Sequence, residues 1–185
     1  MDAPSLRFVD ELAAFADGVI GAGLSPQVEA LIAQAGILRH LPRQALPLLE
    51  AARAGAPRHP APLIALYRFH FYGHQLEQAH AVGVDALAVA RTALGPDFGD
   101  APPSDEAARF DAAVRFYLFT LKGLAYLNLR LGDMEEARLL LRELRRLDPQ
   151  DHAGAALLAH VLVRRETDGD ASVDYPVRGW SATST

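Results

Sequence analysis

LKGLAYLNLRLGDMEEARLLLRELRRLDP, residues 121–149, decides the fold. Small Ala125 lets two helices approach, and Gly132-Asp133 makes a turn between them. Ala137 packs small against the first helix, and Asp148-Pro149 stops the second. Residues of these types at these intervals are what a helix-turn-helix repeat unit requires, so the stretch reads as one unit of a helical repeat.

The rest of the chain agrees with that reading. Its 185 residues suffice for one domain with a core or for a short stack of helix pairs. Leucine and alanine dominate the apolar half, and strict polar-apolar alternation is missing, which predicts an all-α protein. Cysteine is absent, which removes disulfides, thiolate metal sites and cysteine nucleophiles and fits a reducing, cytoplasmic location. The start, MDAPSLRFVDELAAF, lacks the basic and continuous apolar regions of a signal peptide. No segment approaches the roughly 20 apolar residues that span a bilayer, so no membrane role is expected. A net charge of −5 argues against diffuse attraction to nucleic acid. Much of that charge belongs to the end of the chain, where Glu166, Asp168, Asp170 and Asp174 face Arg178 alone.

Helix signals follow one another along the sequence. Ser5 can cap a first helix over 5–22, with Leu6, Val9, Leu12, Ala13, Ala16, Val19 and Ile20 on one face. Ser25-Pro26 starts a second, expected to reach residue 39. A third is expected over 44–54, beginning late enough to keep Pro47 in its first turn. Pro60–Tyr72 and Leu76–Leu94 follow around Gly73, and then the loop GPDFGDAPPS, Gly95–Ser104. Ser104 caps again, and an unbroken apolar pattern predicts one extended helix over about 105–131, roughly 40 Å long. Helices over Met134–Leu147 and Asp151–Arg165 complete the domain, 1–165, and 166–185 reads as an acidic flexible tail.

A frame of about 34 residues anchored on Pro149 starts a unit at Leu118, and the same period links Pro26 to Pro60. Repeats then occupy about 26–59, 60–94 and 118–151, with a capping helix at 151–165. The pattern resembles the tetratricopeptide repeat (TPR) family. Leu121, Leu124, Ala125, Ala137, Leu141 and Pro149 carry the best match, and Leu63, Leu66, Ala79 and Ala86 a weaker one. In the first unit Ile32, Ala33, Ala45, Leu49, Ala52 and Pro57 match. Leu121 stands where the family commonly has Trp, and Asn128 where it has Tyr. The resemblance implies a short right-handed α-solenoid of about three helix pairs, with an N-terminal helix and a C-terminal cap.

It also implies a concave surface lined by the first helix of each pair. Carried over by frame, the peptide-binding groove comprises Arg68, Phe71, Tyr72, Phe119, Lys122, Tyr126, Arg130, His160 and Arg164. No acid stands among them, so the expected ligand is a protein or peptide with acidic character, held by charge-assisted hydrogen bonds and stacking. The family's carboxylate-binding subclass adds groove asparagines, and Asn128, the sole asparagine, is not at such a position. A second copy of the chain, or the acidic tail folded back into the groove, is a further partner reading.

Catalytic signatures are missing. There is no phosphate-cradling glycine loop, no G-x-S-x-G elbow, no H-E-x-x-H and no cysteine nucleophile, so neither enzyme activity nor a cofactor is expected. His70, His74 and Glu77 have the spacing of a metal site on a continuous helix, which Gly73 interrupts. A helical metal-binding protein or enzyme centred on His70 and His74 is the reading of a different class. Arg138, Arg142, Arg145 and Arg146, interleaved with Glu135 and Glu143, read as a solvated outer face. The leading expectation is a non-catalytic adaptor, assembly factor or chaperone. Its plan is similar to that of type III secretion chaperones, and the string YRFHFYGH, Tyr67–His74, resembles small TPR proteins that accompany nitrogen-fixation gene sets.

Overall fold

The computed structural model describes residues 23–170. Among them are eight helices and no strand: α1 Pro26–Ile37, α2 Pro42–Gly55, α3 Pro60–Tyr72, α4 Leu76–Leu94, α5 Asp105–Phe110, α6 Ala112–Leu131, α7 Met134–Leu147 and α8 Ala156–Asp170. The helix expected over 5–22 and the tail from Ala171 onward lie outside the described residues. α8 runs five residues into the segment read as tail.

Local chemistry sets the boundaries. Ser25 caps α1 by accepting from the Val28 amide, with Pro26 in the first turn, where its missing N–H costs nothing. His59 does the same for α3 through Nδ1, which accepts from the Ala61 amide at 3.2 Å. Gly73 closes α3, its amide donating to the Phe69 carbonyl. Gly132 ends α6 in the left-handed region at φ 91°, and Asp133 opens α7 by accepting from the Glu136 amide.

Three expected boundaries are corrected. α2 starts at Pro42, so Pro47 lies beyond the first turn. Proline there gives up one amide bond, and burial of Ala45, Leu49 and Ala52 holds the helix together across it. The extended helix over 105–131 is split at Asp111, which has extended backbone (ψ 122°) and caps α6 by accepting from the Val114 amide at 2.9 Å. Arg115 then donates to the Arg109 carbonyl at 2.6 Å, satisfying the frayed end of α5. The last helix begins at Ala156 instead of Asp151. Asp151 and Gly154 adopt positive φ, and the Asp148 and Asp151 carboxylates collect the amides of His152, Ala153, Ala155 and Ala156.

Neighbouring helices pack in sequence: α1 on α2, α3 on α4 and α6 on α7, with α2 meeting α3 and α4 meeting α6. α8 lies against α7 and α6. α4 and α6 approach closely at Gly83, where a Cβ would stand 2.8 Å from Leu124 Cδ2. An ion pair between Arg53 and Asp85 at 2.5 Å ties α2 to α4. The Gly95–Ser104 loop is anchored by Phe98, edge-on to Tyr117 at 5.1 Å, and His152 Nε2 meets Asp105 Oδ1 at 2.6 Å at the start of α5. No described helix is long and apolar enough to cross a membrane.

Two glycines in helices should respond oppositely to substitution. Gly83→Val overpacks the α4–α6 contact and should cost about 1–3 kcal/mol. At Gly36, where nothing lies within 4 Å of an added Cβ, alanine should stabilise by up to about 1 kcal/mol. Urea unfolding followed by circular dichroism reads both, and a neutral Gly83→Val would mean that the helices do not approach there. Asp111→Ala removes the α6 cap and should cost about 1 kcal/mol in the same measurement.

Candidate functional site

α6 is buried along nearly its whole girth. From Val114 to Leu129 every residue is buried except Arg115, Lys122 and Tyr126, and Arg130 follows, exposed. At 100° per residue, 115, 119, 122, 126 and 130 fall on one stripe of the helix. Among the described residues, a helix buried on its other sides thus has one longitudinal opening, in which cations alternate with rings.

Rings and cations support one another along it. The guanidinium of Arg115 lies 5.2 Å from the Phe119 ring centroid, and Lys122 Nζ 5.9 Å from the same ring on its other flank. Arg130 stands 5.7 Å from the Tyr126 ring, and its Nη1 donates to Tyr126 Oη at 2.6 Å. Tyr126 in turn meets Phe71 of α3 at 5.7 Å, and Phe71 contacts Tyr67 and, edge-on, Tyr72. Lys122 Nζ also reaches to 3.4 Å from the Cβ position of Gly154, in the turn that precedes α8.

The nine residues expected to form the groove therefore divide. Lys122, Tyr126 and Arg130 share the α6 stripe, and Tyr72 joins them through the Phe71 ring. Phe71 and Phe119, 7% and 4% exposed, serve as the buried floor under these side chains. Arg68 is half-buried one turn before Tyr72 on α3. His160 and Arg164 are exposed on the side of α8 roughly opposite the buried Leu158 and Leu162, and no described contact joins them to α6. Arg115 was missed because the repeat frame begins at Leu118, and the signal that finds it is the seven-residue step back from Lys122.

The electrostatics are one-sided. Arg115 and Arg130 bond to a carbonyl and a phenol oxygen, neither of which cancels their charge. On α7, by contrast, Glu135 pairs with Arg138 and Glu143 with Arg146 in a two-bond fork. Hydrogen bonding to Arg146 holds the Glu143 carboxyl below the ordinary carboxylate range. Burial pushes the Tyr67 phenol well above its usual range, so beneath the stripe it stays neutral.

The histidines go elsewhere. His70 Nδ1 lies 2.7 Å from Gln75 Oε1, closing the turn between α3 and α4, and His74 is exposed at φ 58° within that turn. Among the described residues no group of three or more histidine and carboxylate side chains is placed to hold a metal ion.

No known family model matches the chain, and no solved structure matches it significantly. An uncharacterized 19.8 kDa protein in the nifW 5′ region of Azotobacter chroococcum mcd 1 is 35% identical to it over 127 residues, covering 66% of this chain and 71% of that protein. With that identity over that share of both sequences, the chain belongs to the family of this nifW-region protein.

Proposed function

We propose that the protein is a non-catalytic accessory factor of nitrogen fixation that binds a partner protein through the α6 stripe, on a short right-handed solenoid of TPR-like helix pairs. The stripe carries this reading. A helix that is apolar on every other face presents three cations and a tyrosine in line, over a floor of buried rings, with no acid among them. Cations in line on such a face favour an anionic partner and reject a basic one. The genomic setting named for the relative supplies the process. The sequential pairing of short-looped helices supports the TPR-like arrangement.

The spacing of the cations also selects the form of the ligand. Arg115, Lys122 and Arg130 are separated by about 10.5 and 12 Å along the helix axis at 1.5 Å per residue. The first is the interval between carboxylates one heptad apart on a second helix lying along α6, and the second is longer by one residue's rise. The preferred ligand is then an acidic amphipathic helix.

A fluorescein-labelled helical peptide with glutamate at every seventh position should bind, and its lysine counterpart should not, with affinity falling as salt rises. Lys122→Glu combined with Arg130→Glu should weaken the glutamate peptide at least about tenfold, or about 1.4 kcal/mol. Fluorescence anisotropy measures this, with helical circular dichroism as the folding control. Equal affinity for both peptides, or for both proteins, would remove the stripe as a binding face.

A further inference from the structure

The last helix has an apolar face that no described element covers. α8 packs on α7 and α6 through Leu158 and Leu162, both buried, while Ala156, Ala159, His160, Val163 and Arg164 are exposed. At 100° per residue Ala156, Ala159 and Val163 fall within about 60° of one another on the helix surface. Where α7 and α8 part, a cleft of about 40 Å³ opens on that side, bounded by Leu141 and Leu144 of α7 and by Ala155, Ala156 and Ala159. Arg145, Asp148 and Asp151 complete its rim. Val163, 59% exposed, stands one turn beyond Ala159.

This surface is complementary to itself. A branched knob, Val163, and a hole between two alanines share one stripe of one helix. Two copies of α8 packed antiparallel about a two-fold axis beside Ala159 and His160 set each Val163 over Ala156 and Ala159 of the other copy, so both holes fill at once. A segment from any other source must match the knob and the hole separately, which a second copy does by symmetry. Charge agrees with that register. Arg164 of one copy then faces Ala155 of the other, beside the rim where Asp148 and Asp151 outnumber Arg145, and Arg164 bonds to no group among the described residues. Antiparallel helices also set their dipoles favourably.

We propose that the cleft between α7 and α8 is a dimerisation surface that takes α8 of a second copy, antiparallel, and makes the protein a weak two-fold dimer. The inference is independent of the α6 stripe and of any partner bound there. At 1.5 Å per residue α8 is about 22 Å long, so the contact falls below the roughly 800 Å² per partner of a standard interface. Such an area supports a dimer that exchanges with monomer at about 10–100 µM.

Sedimentation velocity on the full-length protein over about 1–500 µM should show a mass that climbs from the 20.0 kDa of one chain towards twice that value. Val163→Glu drives a carboxylate of each copy into the alanine hole of the other and should weaken association about tenfold or more. Arg164→Glu should weaken it about threefold at low salt. Leu157→Glu changes another exposed residue of α8, about 120° around the helix from Val163, and should leave association as it is. Circular dichroism confirms that each variant folds. Because the chain has no cysteine, orientation can be read with introduced ones. Under mild oxidation a mixture of the Ala156→Cys and Val163→Cys proteins should form a disulfide-linked heterodimer, whereas Ala156→Cys alone should not link to itself. Self-linkage of Ala156→Cys would mean parallel helices and overturn the register. A chain that stays at 20.0 kDa at every concentration assigns the cleft to another occupant, whether the end of its own chain or a different protein, and overturns the proposal. So does a dimer that Val163→Glu leaves intact, or one that Leu157→Glu weakens equally.

Discussion

The burial of α6 is the constraint on which the rest of the structure depends. Its apolar residues face in nearly every direction, and such a helix is stable in water only when neighbours cover all of those faces. α4 covers one side, held close by the absence of a side chain at Gly83, and α7 and α8 cover others. α3 reaches it through the rings of Phe71 and Tyr126, tilted against each other at 5.7 Å. What is left is a strip one side chain wide. Among the described residues that strip is the side of α6 left uncovered, and the long side chains along it send their charged ends out while their stems lie on the rings beneath. The line of cations and rings is thus a by-product of how completely the helix is buried elsewhere.

That origin separates the two basic surfaces. On α7 the arginines alternate with acids at helical spacing, and the pairs Glu135–Arg138 and Glu143–Arg146 return much of the charge to neutrality. On α6 no acid stands between Ala112 and Leu131, and on its buried faces an unpaired carboxylate would be costly. Density of arginine alone would point to α7, and its compensation by acids points away from it. Asn128 shows the cost of a polar group inside the same helix: 3% exposed, it holds an amide nitrogen that finds no acceptor, at the position where the TPR pattern commonly has tyrosine.

How much of this was legible in the sequence depended on whether the signal was local. α3, α4 and α7 could be read to the residue, because Pro60, Gly73, Gly95 and Asp133 each act on the backbone next to them. Asp111 was not legible as a break. An apolar period continues across a single extended residue, and whether an aspartate caps or simply faces solvent depends on what packs around it. Pro47 misled in the other direction, since tertiary burial of α2 overrides one lost amide bond. A repeat frame groups Lys122, Tyr126 and Arg130, which lie on one stripe of α6, because they share a regular helix with the frame's anchor. It reaches His160 and Arg164 by extrapolation across the Asp148–Ala155 connection, where Asp151 and Gly154 adopt positive φ. Arg115 needed the observation that α6 has one open side, which no single-residue signal contains.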